Sequence, residues 1–166
     1  MNIRFAKEED WATLIDIYNQ AVDETGYTAD LEPITLEERL PWLRQHTPDV
    51  YPIYVAEAEN DEIAGWCSIS AYRTGREALR FTAEISYYID KNHWRKGVAS
   101  RLVEHAINDC PRLGIKSLFG ILLDINVGSM KLLEKFGFER WGHMPNVADI
   151  NGKECGHLYM GRRFYD

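Results

Sequence analysis

The chain has 166 residues, 45% of them hydrophobic and 27% charged, and a formal net charge of −7 at pH 7. That length supports one compact domain, residues 1–166, rather than two; no run approaches the roughly 18 consecutive apolar residues of a membrane span, and MNIRFAKEEDW lacks the apolar core of an export signal. Residues 1–62 carry 15 acids against 4 bases and the remainder 15 bases against 11 acids, which excludes the broad basic face of a nucleic-acid binder but leaves room for a small anionic ligand in the second part. Cys67, Cys110 and Cys155 form neither a disulfide framework nor a zinc spacing, so a reducing, cytoplasmic setting without a metal is expected.

NIRFA, residues 2–6, reads as a short strand. Trp11, Leu14, Ile15, Tyr18 and Val22 then recur at helical spacing, a helix of about four turns. In ITLEERLPWLRQH, Thr35 is expected as N-cap with Glu38 three residues on, a capping box opening a second helix whose ideal pattern Pro41 breaks. IYVAEA and IAGWCSISAY, separated by a charged turn at 60–62, suggest a hairpin. RFTAEISYYI alternates cleanly, with Phe81, Ala83, Ile85, Tyr87 and Ile89 on one face and Arg80, Thr82, Glu84, Ser86 and Tyr88 on the other.

The stretch HWRKGVASRL follows and enters a helix with Val98, Leu102, Val103, Ala106, Ile107 and Cys110 on its apolar side, ended by Pro111. KSLFGILLD has the near-continuous apolar run of a buried strand. Asn126 is placed to cap a last helix through Phe136, with Gly137 at its end, and two final strands surround Asn151 and Gly152, a tight-turn pair within a longer connection. The order β-α-α-β-β-β-α-β-α-β-β is that of a mixed α/β (α+β) domain.

Where RKGVAS enters its helix, the unpaired N–H groups of the first turn form an anion site, Arg95 and Lys96 add positive charge, and Gly97 allows close approach to the backbone. The segment is neither a P-loop nor GxGxxG, and alone it reads more simply as a basic helix start. Read together with NVGSMKLLEKFGFE at 126–139, it resembles the acetyl-CoA signature of the GCN5-related N-acetyltransferase (GNAT) superfamily, whose element order is the one above. RFTAEISYYI and the span from about 2 to 164 more narrowly resemble the phosphinothricin acetyltransferase group, whose members acetylate small amino-acid-like amines.

The resemblance implies a mixed, mostly antiparallel central sheet flanked by about four helices, with acetyl-CoA as cosubstrate. It puts Tyr87, Tyr88 and Ile89 at a splayed strand end against the pantetheine arm, and Arg95, Lys96, Gly97, Val98, Ala99 and Ser100 around the pyrophosphate. Asn126 would reach the pantetheine or acetyl end, or serve only as a helix cap. Glu84 matches the group's general base, taking the proton that a primary amine carries at neutral pH, with a pKa raised by partial burial; alternatively it pairs with Arg80 or a base on a neighbouring strand. Arg73 and Arg80 are the arginines expected on the acceptor's carboxylate or phosphinate-like end, with Arg76 an ordinary surface residue. An oxyanion donor is expected from a backbone N–H near Tyr87 or Tyr88.

Two departures stand out: Trp94 replaces the Gln or Arg usual three residues before the loop glycine, and Leu133 replaces the Tyr or His that many members carry as proton donor to the leaving thiolate. His93, His105, His143 and His157 form no metal spacing. Trp141, Met144, Tyr159 and Met160 fit an acceptor pocket, a dimer seam or plain strand core. The expected activity is direct N-acetylation of a small amino-acid-like amine by a homodimer, with no nucleic-acid or membrane partner. Open alternatives are another amine (a protein N-terminus, polyamine or aminoglycoside) or a non-catalytic acyl-CoA sensor.

Overall fold

The computed structural model describes residues 1–164. Its elements follow the expected order: β1 (Asn2–Phe5), α1 (Trp11–Asp23), α2 (Leu36–Leu43), β2 (Ile53–Glu57), β3 (Ile63–Ala71), β4 (Thr82–Ile89), α3 (Val98–Asp109), β5 (Ser117–Leu123), α4 (Val127–Lys135), β6 (Glu139–Ile150) and β7 (Lys153–Arg163). The strands form one seven-stranded sheet in the order β1-β2-β3-β4-β5-β7-β6. Every neighbouring pair is antiparallel except β4 and β5, which α3 joins as a parallel crossover.

Alternation along the strands divides the core between two faces. Val55 and Trp66 pack with Leu14, Ile17, Tyr18 and Leu43 of α1 and α2. Tyr54, Cys67, Ile69 and Ile85 pack instead with Leu102, Val103 and Ala106 of α3 and Leu133 of α4. The Trp66 indole N–H donates to the Leu14 carbonyl at 3.0 Å, which fixes α1 on β3. Asn19 holds the segment ahead of α2 through both ends of its amide, donating to the Ile34 carbonyl and accepting from its N–H, each at 2.9 Å.

The capping box forms as expected: Glu38 N–H donates to Thr35 Oγ1 at 3.2 Å and Thr35 N–H to Glu38 Oε2 at 2.7 Å. The helix runs on through Pro41. At the other end of the fold, Asn151 and Gly152, with φ of 53° and 84°, form the whole two-residue hairpin turn rather than part of a longer connection, because Ile150 already pairs with Lys153.

Strand β4 starts later than alternation suggested. Arg80 has helical φ and ψ of −61° and −20°, and its N–H bonds back to Glu77, closing a 3-10 turn at Glu77–Leu79. Arg80 and Phe81 therefore lie before the strand, with the guanidinium stacked on the Phe81 ring at 4.2 Å.

The parallel ladder between β4 and β5 is short: Thr82 pairs with Ser117, Ala83 with Leu118 and Glu84 with Phe119, and no further. Beyond it β4 continues beside β3 as far as Ile89 opposite Gly65, and β5 beside β7 as far as Leu123 opposite His157. The two strands separate, and the inner edge of β4 borders an opening in the sheet. Replacing Thr35 by Ala removes the α2 cap and is expected to lower unfolding free energy by about 1 kcal/mol, read by urea denaturation.

Candidate active site

A cavity of about 450 Å³ lies where β4 and β5 part. Tyr87, Tyr88 and Ile89 of β4 line one wall, Ile121 and Leu122 of β5 another, and the start of α3 and of α4 its mouth. Gly97 is the N-cap of α3 with φ of 79° and no side-chain cap, so the loop enters the helix through the left-handed region where a Cβ costs energy. The first intrahelical bond runs from Arg101 N–H to Gly97, which leaves the N–H groups of Val98, Ala99 and Ser100 for an anion. Gly97, Val98, Ala99, Ser100 and Arg95 all line the cavity; Lys96, from the same expected cradle, does not.

Trp94 anchors the loop instead of offering a polar contact. Its indole N–H donates to the Ile89 carbonyl at 2.9 Å, tying the loop to the end of β4, and its ring packs 5.8 Å from Tyr27. Gln20 of α1 grips the same loop, accepting from Lys91 N–H at 2.8 Å and donating to Asp90 at 2.9 Å. Asn126 accepts from Ser129 N–H at 3.2 Å as the cap of α4 and also lines the cavity. Leu133 is fully buried and would lie 3.1 Å from a Cβ on Gly120, so this position belongs to the core under β5. The Tyr87 hydroxyl, in contrast, is buried at the cavity beside the Ser129 side chain of α4.

A second cavity, about 1080 Å³, opens on the α1–α2 side of the sheet. Glu84 lies on its wall, together with Arg73, Arg76 and Arg80 from the β3–β4 connection and Arg39 and His46 from around α2. Ser86 and Tyr88 line both cavities, so the two meet across β4. Burial raises the Glu84 pKa above the ordinary carboxylate value. It makes no salt bridge among the described residues: Arg80 donates to the Glu77 carbonyl at 3.0 Å, and the Arg73 guanidinium has no protein partner there.

Sequence reasoning missed Arg39 and His46. The Arg39 guanidinium lies over Tyr18 at 5.3 Å and Trp42 at 5.0 Å, a cation held by two aromatic faces at the cavity wall. It is one of four bases in an acidic first third, three residues before Trp42, and that i, i+3 spacing was its one available signal. The remaining histidines make local contacts: His143 bonds Asp124 at 2.8 Å, His105 packs edge-on to Tyr54 at 4.9 Å, His157 lies 6.4 Å from Tyr159, and His93 is 3.9 Å from Glu62. Met160 is core, and Tyr159 stacks against Phe119 at 6.3 Å.

The Acetyltransferase (GNAT) family profile matches residues 11–138. The chain belongs to this family. A Bacillus subtilis protein provisionally named phosphinothricin acetyltransferase YwnH is 41% identical over 162 residues, covering 98% of both chains. An L-methionine sulfoximine/L-methionine sulfone acetyltransferase of Salmonella typhimurium is 31% identical over 160 residues, covering 96% of this chain and 92% of its own length. The crystal structure of a GNAT superfamily phosphinothricin acetyltransferase from Sinorhizobium meliloti in complex with acetyl-CoA is 26% identical and superposes with a TM-score of 0.92, covering 98% of this chain and 88% of that one. The present protein is accordingly an acetyl-CoA-dependent N-acetyltransferase with the mixed α/β GNAT fold. No helix among its described residues is long and apolar enough to cross a membrane.

Burial of Glu84 has a stability consequence that can be measured apart from activity. Its folded pKa is raised, so the native state holds the proton more tightly than the unfolded chain. Stability associated with this group is therefore greatest below the unfolded carboxylate pKa and is lost as pH rises through the folded value. Glu84→Gln is expected to be more stable than wild type at pH 7, with the advantage shrinking towards pH 4, as read by thermal unfolding across that range.

Proposed function

We propose that this acetyltransferase acetylates, by direct transfer, the amino group of a small amino-acid-like acceptor of the phosphinothricin or methionine sulfoximine type, with Glu84 as general base. The observation that carries the reading is an unpaired, partly buried carboxylate in an arginine-lined cavity that meets the cavity between β4 and β5 at Ser86 and Tyr88. Three arginines ahead of Glu84 and a fourth at 39 suit a carboxylate or phosphinate-like acceptor; they oppose a polyamine or aminoglycoside.

The cavity between the strands fits acetyl-CoA, which when bound supplies an acetyl group activated as a thioester. The free N–H groups of Val98, Ala99 and Ser100 hold the pyrophosphate, with Arg95 adding charge and Gly97 setting the approach. The inner edge of β4 at Tyr87, Tyr88 and Ile89 meets the pantetheine arm through the backbone groups that β3 and Trp94 leave free, and Asn126 closes the other side. A backbone N–H near Tyr87 or Tyr88 donates to the thioester oxygen as negative charge develops there. Arg73 and Arg80 orient the acceptor by its anionic end. Glu84, poised by burial closer to neutral pH than an ordinary carboxylate, removes a proton from the amine directly or through water. Leu133 provides no acid, and a thiol pKa near ~8.5 lets the leaving group depart as thiolate.

Residues 1–166 are read as one catalytic unit working in the cytoplasm, a reading supported by three free, buried cysteines. A homodimer is proposed through β6, an edge strand whose Trp141, Met144 and Val147 are each about half exposed. Light scattering is expected to give twice the 19.2 kDa chain mass, and a monomer that retains full activity contradicts the dimer.

The function is tested by thiol release from acetyl-CoA over methionine sulfoximine, phosphinothricin, free amino acids and polyamines. Turnover is expected on the first two classes, and Glu84→Gln is expected to lower kcat by ~100-fold or more while acetyl-CoA affinity is unchanged. Unaltered turnover at saturating acceptor removes Glu84 from its role.

A further inference from the structure

The wall facing Glu84 contains a hydrogen-bond chain whose direction is fixed at one end. His46 Nδ1 lies 2.8 Å from the Trp42 carbonyl oxygen, and its Nε2 lies 3.1 Å from Ser70 Oγ. A carbonyl oxygen can only accept, so Nδ1 carries the proton. The ring lies 4.1 Å from Trp42, half-buried; burial is the largest influence on it and, with the Arg39 charge, disfavours a second proton against the opposing pull of the Trp42 carbonyl. Nε2 then has only a lone pair to offer, and the Ser70 hydroxyl must donate to it. With its hydrogen committed, Ser70 Oγ can show the cavity nothing but acceptor lone pairs.

Ser70 is paired with Glu84 in the β3–β4 register, so the two side chains share one face with Cβ atoms about 5 Å apart. Both line the acceptor cavity. One pair along the same face, Ser68 stands opposite Ser86; Ser68 Oγ is buried and lacks a partner among the described residues, an open hydrogen-bonding position in the same wall. Two acceptor-only groups about 5 Å apart match a group with several N–H donors and no lone pair, which describes a protonated primary amine.

We propose that Ser70 is a substrate-binding residue that accepts a hydrogen bond from the acceptor's ammonium beside Glu84, and that His46 is a positioning residue that holds the Ser70 hydroxyl turned away from the cavity. This deepens, and rests on, the proposed function. With one N–H held by Ser70 and another directed to Glu84, loss of the proton to Glu84 leaves the nitrogen's new lone pair oriented by the remaining bond. The arginines then select the anionic end of the acceptor, and the Ser70–Glu84 pair selects its amine. Without the neutral His46 acceptor, the Ser70 hydroxyl can swing towards the cavity and present a hydrogen to a cation.

The test compares L-methionine sulfoximine with its deamino analogue, binding each to the CoA complex of the full-length protein by calorimetry. Ser70→Ala is expected to weaken the amine about tenfold, the scale of one hydrogen bond to a charged group, and to leave the deamino analogue unchanged. Ser70→Thr, which keeps the oxygen, restores the amine's affinity. His46→Gln, with a carbonyl able to accept from Ser70, stays near wild type, whereas His46→Leu matches Ser70→Ala. Independently, the nitrogen NMR spectrum of His46 is expected to show Nδ1 protonated and Nε2 bare at pH 7.5.

A proton on Nε2, or equal effects of Ser70→Ala on both ligands, overturns the inference while leaving the proposed function standing. Failure of wild type to bind the amine removes the proposed acceptor class and this inference with it.

Discussion

The site depends on an interruption in pairing. Between β4 and β5 the ladder closes at Thr82, Ala83 and Glu84 and then stops, although both strands continue. A sheet interior normally satisfies every backbone group from its neighbours, so an unpaired inner edge requires another partner. The short ladder anchors the strands, and the divergence creates a slot lined with backbone donors and acceptors. Glu84 is the last paired residue before the slot and faces the other cavity, which brings the two cavities to either side of one strand. The rest of the structure maintains this opening: α3 spans the crossover, Trp94 and Gln20 pin the loop at its mouth, and α2 with the β3–β4 connection walls the second cavity.

Features that reside in a few consecutive residues could be read from the sequence. The alternation of β4 assigned Glu84 and Tyr88 to one face and Tyr87 to the other, because strand period alone settles that. Gly97 and Asn126 were legible because helix starts have local chemistry, and the Thr35–Glu38 box for the same reason. Arg80 and Phe81 were assigned to the strand because alternation continues through them, but a 3-10 turn takes the Arg80 N–H and delays the sheet, although the Phe81 carbonyl already accepts from Lys116 and Ser117. Asn151 and Gly152 looked like part of a wider loop because the length of pairing on each side depends on a register that composition does not encode.

What the sequence could not show was the acceptor wall. Arg39 and His46 come from around α2, Ser68 and Ser70 from β3, and Glu84 from β4, and none forms a motif with another. Their meeting is a product of helix docking and strand register. The direction of the Trp42–His46–Ser70 chain is more remote still, since it follows from which atom is a carbonyl. Leu133 shows the same limit in another form: its family position suggested a missing acid, whereas its surroundings are the tightly filled core beneath Gly120. The buried Ser68 hydroxyl without a partner among the described residues, and the burial that raises the Glu84 pKa, are costs to the folded protein.

The most direct measurement is a map of backbone amide signals in the nitrogen-labelled protein as acetyl-CoA is added. The account predicts that the largest shifts fall on two separated stretches, residues 86–89 on the inner edge of β4 and residues 97–100 at the start of α3, with the acceptor wall at Ser68 and Ser70 little affected until an amine is present. Shifts centred on the acceptor cavity, or none at either stretch under saturating cosubstrate, would contradict the claim that the divergence of β4 and β5 is the binding slot.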